Sequence, residues 1–280
     1  MNQYSNPLKQ FFRQPSIYIR LPSGGNFWKQ EALETPVNNE YPVLPMTAID
    51  EITYRTPDAL FNGQAVVSVI ESCMPNIKDA WETPIVDLDT ILVAIRIASF
   101  GHELSVETRC PKCEHEAEYG IDLRQVLDRM GTLDYSKTVH TGEMEIFFRP
   151  LTYRQTTENS LKQFEEQKIL NILPNTDIPE SEKLDRLSEA VKKLTELTID
   201  ALSECILMIR TANAQVTETE FIREFLTNAP SATFNQIRDH IVALRESNEL
   251  KPLNIRCSSC ENNYDQPITL DQSFFFGDAS

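Results

Sequence analysis

The sequence predicts an α+β fold that is mainly helical, with a short β-hairpin and a small unit assembled from two distant cysteine pairs. Apolar residues in the C-terminal half recur at three- and four-residue intervals, the spacing of one face of a helix. Residues 139–149 instead alternate apolar and polar side chains around Thr141-Gly142, a pattern typical of a hairpin. The cysteine pairs are Cys110-Pro111-Lys112-Cys113 and Cys257-Ser258-Ser259-Cys260.

The two cysteine pairs share a register that extends beyond the cysteines themselves. In each copy an arginine precedes the pair, a glutamate follows it, and two aliphatic residues come at matching offsets: Arg109, Glu114, Ile121 and Leu123 in one copy, and Arg256, Glu261, Ile268 and Leu270 in the other. Residues 117–123 also alternate as a half-buried strand does. The shared register predicts two similar substructures, each carrying two thiols on a turn.

Two C-x-x-C turns supply the four thiolates of a tetrahedral structural zinc site. We therefore predict that Cys110, Cys113, Cys257 and Cys260 bind one zinc ion and form a split zinc ribbon. Because four thiolates fill the coordination shell and leave no position for water, the predicted role of the metal is structural. Such a site would join two segments that lie far apart in the chain.

Three other interpretations of the cysteines are open at this point: two redox pairs, a disulfide framework, or unrelated surface cysteines. A redox C-x-x-C is expected at a helix N-terminus, whereas a strand pattern follows here. No signal peptide opens the chain, which disfavours stable disulfides. We expect His102 and His115 at the surface or around the site, and Cys73 and Cys205 as buried thiols.

Length, apolar content and net charge limit the kinds of partner that the chain is expected to bind. With 280 residues and 41% hydrophobic side chains, the chain is long enough for one large domain or two modest ones. The longest apolar run, residues 91–100, contains Arg96 and is too short to span a bilayer. The 42 acidic and 26 basic side chains give a net charge of −16, which opposes binding to nucleic acid or anionic lipid. We therefore expect neither nucleic acid nor a membrane as a partner.

The predicted organisation has four parts. They are an extended N-terminal arm at 1–45, a helical core segment at 46–105, the split zinc ribbon at 106–124 plus 252–276, and a hairpin with a helical-bundle insertion at 125–251.

In the arm, residues 17–21 alternate as a strand does, and Pro22-Ser23-Gly24-Gly25 ends that strand with a turn. Phe27 and Trp28 follow, with little local core to cover them. Either the arm folds back on its own domain or it adds a strand to a neighbouring subunit. We expect the arm to mediate assembly, because an edge strand offers unpaired backbone groups to a partner.

Helices are predicted on both sides of the first cysteine pair. Upstream, Thr56-Pro57-Asp58 is a helix start signal, a second helix covers residues 65–73, and an apolar helix runs from Asp87 or Asp89 to Phe100, where Gly101 ends it. Downstream, Thr152 and Gln155 predict a capping box for a helix reaching about Leu173. Apolar spacing from Leu184 to Met208 predicts a helix of about thirty residues, and helices opened by Thr217 and Ser231 follow.

The sequence contains no recognisable catalytic motif. We find no zinc-protease helix, phosphate-binding loop, nucleophile elbow or dinucleotide fingerprint. Acidic neighbours such as Glu165-Glu166 lie on polar helix faces, where solvated charge is the simpler explanation. We expect no enzymatic activity and assign neither catalytic nor cofactor-binding residues apart from the four cysteines.

Several longer stretches carry a further signal. They are Arg13-Gln14-Pro15-Ser16-Ile17-Tyr18-Ile19-Arg20-Leu21-Pro22-Ser23-Gly24-Gly25, Pro45-Met46-Thr47-Ala48-Ile49-Asp50-Glu51, Thr56-Pro57-Asp58-Ala59-Leu60-Phe61-Asn62-Gly63, Asp87-Leu88-Asp89, the first cysteine pair, Phe147-Phe148-Arg149-Pro150-Leu151-Thr152-Tyr153 and Phe274-Phe275-Phe276. Together they resemble the baseplate hub proteins of T-even-like contractile-tailed phages. The resemblance covers most of residues 1–155 and resumes at the second cysteine pair.

The resemblance implies a structural or assembly component of the phage tail baseplate, placed near the central hub and without enzymatic activity. It implies other baseplate and tail proteins as partners, and it is compatible with a homo-oligomer around the tail axis. The implied location is the virion tail baseplate, after assembly in the bacterial host cytoplasm.

Two other function classes are open. A zinc-ribbon nucleic-acid-binding protein needs a basic face, and only a few basic residues lie near the cysteine pairs: Arg109, Lys112, Arg124, Lys251 and Arg256. The net charge of −16 further disfavours it. A metal-dependent hydrolase needs an open coordination position, which four thiolates do not leave.

Overall fold

The computed structural model describes residues 6–54, 63–130, 134–172, 179–248 and 252–266. The chain divides into two compact units, the first comprising Met1–Glu82, Val86–Thr132 and Leu250–Ser280 and the second Thr83–Ile85 and Leu133–Glu249. The helix start predicted at Thr56-Pro57-Asp58 lies outside the described residues. In the described part of the chain, no helix has the length and apolar character that crossing a membrane requires.

Helices and strands follow one another along both units. The strands are β1 (Ile17–Ile19), β2 (Tyr41–Val43), β3 (Glu103–Arg109), β4 (Glu116–Asp122), β5 (Val139–Thr141), β6 (Met144–Phe148), β7 (Ile206–Arg210), β8 (Gln215–Val216), β9 (Leu253–Arg256) and β10 (Asn263–Gln266). The α-helices are α1 (Ala48–Tyr54), α2 (Gln64–Cys73), α3 (Ile85–Phe100), α4 (Leu123–Arg129), α5 (Tyr153–Ile172), α6 (Glu180–Glu204), α7 (Thr219–Asn228) and α8 (Ser231–Asn248). The strands form small antiparallel sheets, so the prediction of a mainly helical α+β fold is confirmed.

In the first unit, the N-terminal arm folds back on its own core. Strand β1 pairs antiparallel with β2, and the side chains of Ile19, Leu21 and Val43 are buried. The Leu44 backbone N–H then donates to the Cys73 carbonyl at 2.8 Å. The apolar face of the arm therefore packs within its own unit, as the first of the two alternatives predicts, and assembly through the arm stays a prediction.

Helix α3 forms the centre of this first core and holds the arm through one buried carboxylate. Asp87 is fully buried and accepts hydrogen bonds from the Ser23 N–H at 2.8 Å, the Ser23 hydroxyl at 2.6 Å and the Trp28 indole N–H at 2.9 Å. Trp28 is thus an internal hydrogen-bond donor. As predicted, Gly101 ends the helix, with a φ of 87° that favours glycine.

In the second unit, the described strands form one four-stranded sheet in the order β5-β6-β7-β8. The predicted hairpin is confirmed as β5 and β6, with Thr141 paired to Met144. The predicted thirty-residue helix is wrong beyond Glu204, because the chain enters strand β7 instead. There Ile209 pairs with Ile146 on one side and Val216 on the other, so sheet pairing overrides the helical spacing of the apolar residues.

The helices of the second unit pack around this sheet. The buried core includes side chains from both: Ile146, Phe148, Ile206, Leu202, Ile222 and Ile237. The predicted capping box is present, since the Thr152 N–H donates to the Gln155 side chain at 2.9 Å. Helix α8 starts at Ser231 as predicted, whereas α7 starts at Thr219 without the capping box that was predicted from Thr217.

Candidate metal centre

The two cysteine pairs lie on the turns of two β-hairpins in the first unit. The first turn joins β3 to β4, and the second joins β9 to β10. In the first turn the Cys110 N–H donates to the His115 carbonyl and the Glu114 N–H donates to the Cys110 carbonyl, both at 2.9 Å. The second turn repeats both bonds around Cys257, at 2.9 and 3.0 Å. The shared sequence register therefore corresponds to a shared backbone structure.

The residue that follows each pair closes the turn in a left-handed conformation. Glu114 has a φ of 56° and Glu261 a φ of 58°, which is uncommon for a residue with a side chain. Each glutamate forms an ion pair with the arginine that precedes its turn, Arg109 at 2.5 Å and Arg256 at 2.6 Å. These pairs are exposed and add little stability, and the same pair is present in both copies.

The four sulfur atoms form a compact cluster. All Sγ atoms lie within 4.8 Å of one another, and the Cys110–Cys260 and Cys113–Cys257 distances are both 3.7 Å. A Zn–S bond of ~2.3 Å sets the edge of a regular tetrahedron of sulfurs at roughly 3.8 Å. A disulfide would need a separation of about 2.05 Å. The four cysteines therefore lie close enough together to hold a metal ion.

Backbone N–H groups direct hydrogen bonds at three of these sulfurs, those of Cys110, Cys113 and Cys257. Desolvation raises the pKa of the Cys110 thiol, but the N–H groups of Cys113 and Lys112 lower it to about 6. The N–H of Cys260 likewise lowers the pKa of Cys257. At Cys113 the His115 N–H lowers the pKa, yet the neighbouring thiols raise it to about 12. The turns thus stabilise thiolates, and a cation at the centre would relieve the repulsion between them.

One tyrosine and one threonine side chain connect the hairpins outside the cluster. The Tyr119 hydroxyl donates to the Arg256 carbonyl at 3.3 Å and accepts from the Ser258 N–H at 3.3 Å. The Thr108 hydroxyl donates to Gln266 Oε1 at 2.6 Å. Reasoning from the sequence missed these contacts, because strand alternation marks Tyr119 only as inward-facing and carries no information about the second hairpin.

The structure brings together all four predicted cysteines, Cys110 and Cys257 buried and Cys113 and Cys260 more accessible. Among the described residues, neither His102 nor His115 belongs to the cluster. The turns join strands and do not open helices, unlike the redox alternative.

Cys73 and Cys205 lie outside the cluster. Burial raises the pKa of each thiol to about 12. Both are therefore protonated thiols at neutral pH.

The surface of the first hairpin is acidic. Glu107 lies directly opposite Glu118 on the two strands, and Arg109 lies opposite Glu116. Arg124 forms an ion pair with Asp122 at 2.7 Å. Three of the basic residues near the cysteines, Arg109, Arg124 and Arg256, are therefore neutralised by a carboxylate of the same unit.

One comparison with known proteins finds a match. The model of the family described as "T4 bacteriophage base plate protein" matches residues 15–276, a span that includes both cysteine turns. Neither the curated proteins nor the solved structures yield a match. Because the family match covers nearly the whole chain, the protein belongs to the T4 bacteriophage base plate protein family.

Proposed function

We propose that the protein is a structural or assembly component of a contractile phage tail baseplate, placed near the central hub, and that Cys110, Cys113, Cys257 and Cys260 hold one structural zinc ion. The observation that carries the proposal is the four-thiol cluster, in which each sulfur of one turn lies 3.7 Å from a sulfur of the other. Base plate family membership supplies the setting.

The metal cross-links two cysteine turns that lie far apart in the chain. The close sulfur pairs join residues 150 and 144 positions apart. Zinc binding to such a site is coupled to folding and contributes on the order of 10 kcal/mol in zinc-finger peptides. The first unit keeps its two ribbon hairpins together through this ion, and a closed shell of four thiolates supplies no reaction chemistry.

The remaining surface serves contacts with other baseplate and tail proteins. A net charge of −16 repels phosphate backbones, and the arginines beside the turns are already paired with carboxylates. Partner proteins with basic patches are attracted by the same charge, which raises their association rate at low salt.

Cobalt substitution tests the donor set. We expect Co²⁺ to replace zinc and to give the intense sulfur-to-metal charge-transfer bands of a tetrahedral site with four thiolates. A spectrum that shows fewer than four sulfur ligands and a bound water would contradict the structural role and favour a metal-dependent hydrolase.

Binding measurements test the choice of partner. In sedimentation velocity at low and moderate salt, we expect the protein to form complexes with purified baseplate proteins. Filter binding with duplex DNA and with RNA at physiological salt is the matched assay. Tight nucleic-acid binding without any protein complex would overturn the proposal and favour the zinc-ribbon nucleic-acid class.

A further inference from the structure

Helix α6 of the second unit carries two parallel seams, and α5 occupies only one of them. The inner seam repeats at alternating three- and four-residue steps and is buried or half-buried: Leu187, Ala190, Leu194 and Leu197. Contacts across the helix pair place α5 on this side. Asn159 donates to Glu204 at 3.2 Å, and Lys193 lies 3.7 Å from Glu166. The two helices therefore form an antiparallel hairpin of the kind found in helical bundles.

The second seam is exposed. It follows alternating four- and three-residue steps and contains no charged side chain: Leu184, Ser188, Val191, Thr195 and Thr198. We call these five residues the outer stripe. Leu184 is 63% exposed and Val191 54% exposed, and the stripe extends about 21 Å along the helix.

The threonines of the outer stripe present apolar surface. The Thr195 hydroxyl donates to the Val191 carbonyl at 3.0 Å, and the Thr198 hydroxyl donates to the Leu194 carbonyl at 2.9 Å. Because each hydroxyl is satisfied by its own helix, the methyl group is free to make packing contacts. The heptad spacing places these side chains in one line along the helix, as at the seam between two packed helices.

We propose that the outer stripe is a self-association seam, which packs antiparallel against the same stripe of a second copy of this chain. The two helix hairpins would then form a four-helix bundle around a two-fold axis. This inference does not depend on the zinc site or on a position near the hub.

Charge favours a second copy as the occupant. The chain as a whole carries −16, but in the part of the hairpin at 161–170 and 181–198 the acidic and basic side chains balance: Glu165, Glu166, Glu182, Asp185, Glu189 and Glu196 against Lys162, Lys168, Lys183, Arg186, Lys192 and Lys193. This region therefore escapes the like-charge repulsion that opposes contact between two copies elsewhere on the chain.

The charges that border the stripe also select an antiparallel arrangement. Asp185 and Lys192 each follow an aliphatic stripe residue and lie one heptad apart. Antiparallel packing brings side chains at the same heptad position of the two copies together, so Asp185 of each copy lies toward Lys192 of the other, whereas parallel packing keeps these two positions apart.

The seam is small, which sets the expected affinity. One helix stripe of this length falls short of the roughly 800 Å² that each partner buries in a stable interface. We therefore expect a weak dimer that forms between micromolar and millimolar concentrations and that is strengthened when a larger assembly holds two copies side by side.

Sedimentation equilibrium of the full chain over this concentration range tests the proposal. Wild type is expected to dimerise reversibly, and Val191→Glu to lower the association constant at least tenfold while circular dichroism stays unchanged. The matched control is Val242→Glu, the same change at an exposed valine of α8, which is expected to dimerise like wild type. A wild-type chain that stays monomeric throughout, or a dimer that Val191→Glu leaves intact, would overturn the proposal.

Charge reversal tests the arrangement independently of the apolar contacts. Asp185→Lys alone and Lys192→Asp alone are each expected to weaken dimerisation by about tenfold, since each turns two attractive pairs into repulsive ones. The double variant restores both pairs and is expected to dimerise like wild type. If the double variant dimerises more weakly than either single variant, the antiparallel seam is contradicted. Capture of another baseplate protein's helix by a strictly monomeric chain would assign the stripe to that partner instead.

Discussion

At the scale of single residues, Asp87 fixes the N-terminal arm to helix α3. Its carboxylate is fully buried and satisfies three donors from the N-terminal arm. Desolvation raises the pKa of Asp87, and the hydrogen bonds from Ser23 and Trp28 lower it again in part. A buried acceptor with three donors fixes the position of the arm more specifically than apolar contact alone.

Replacing Asp87 by asparagine is expected to destabilise the protein by about 1–3 kcal/mol, because one acceptor oxygen becomes an NH₂ group that faces other donors. Urea unfolding measures this as a lower midpoint with an unchanged slope. The control is Asp239→Asn, an exposed side chain that pairs only with its neighbour Arg238 among the described residues and should be neutral. Equal midpoints for the two variants would show that the arm does not depend on Asp87.

For Asp89 we expect the opposite effect of an asparagine substitution, a gain in stability. Burial raises the pKa of its carboxyl group to about 6 from an ordinary value of 3.8. Between these two values the folded state binds more protons than the unfolded state, so the stability of the protein falls as the pH rises through this window. The penalty is fully present above pH 6 and absent below pH 3.8.

Asp89→Asn removes that titration and is expected to stabilise the protein at pH 7 by on the order of 1–2 kcal/mol. The gain should disappear as the pH is lowered toward 3.8. Thermal unfolding of wild type and variant across this range checks the prediction. A pH-independent difference between the two proteins would mean that helix propensity, and not the buried charge, is responsible.

At the scale of elements, the N-terminal arm is part of the fold. It contributes strand β1, the buried Leu21 and the donors to Asp87. We expect a chain that begins at Lys29 to melt at a much lower temperature than wild type or to precipitate, because the core residues around α3 become exposed. Differential scanning calorimetry provides the comparison. A truncated chain with an unchanged melting temperature that had lost only its ability to assemble would instead make the arm an interface.

Elements specified by local signals could be predicted from the sequence. The hairpin of β5 and β6, the capping box at Thr152 and the glycine end of α3 each depend on a few adjacent residues. Strand β7 could not be predicted, because its residues continue the helical spacing of α6 and become a strand only through pairing with β6 and β8. Contacts between distant segments decide such cases.

Part of the candidate metal centre could likewise be predicted from the sequence, and part could not. The C-x-x-C spacing and its repeated register are enough to identify all four cysteines from the sequence, because two thiols on one turn must point to a common centre. The contacts of Tyr119 and Thr108 with the second hairpin could not be foreseen. Their partners lie more than a hundred residues away and are chosen by how the hairpins pack.

At the scale of the whole molecule, the first unit is built from both ends of the chain. Its segments include Met1–Glu82 and Leu250–Ser280, and most of the second unit, Leu133–Glu249, is inserted between them. A cross-link between the hairpins removes conformational freedom from the unfolded chain in proportion to the logarithm of the loop it closes. The four-thiol cluster closes such a long loop, which gives a bound metal a large effect on the stability of the first unit.

Metal content per chain is the most direct test of a structural zinc at Cys110, Cys113, Cys257 and Cys260. Native mass spectrometry and elemental analysis of the wild-type protein are expected to give one zinc per chain, and Cys260→Ser to lose the zinc together with a large drop in melting temperature. Cys205→Ala, at a half-buried thiol outside the cluster, should keep its zinc and controls for general loss of a cysteine. A well-folded wild-type protein without zinc, or an unchanged zinc content in Cys260→Ser, would contradict the proposed metal centre.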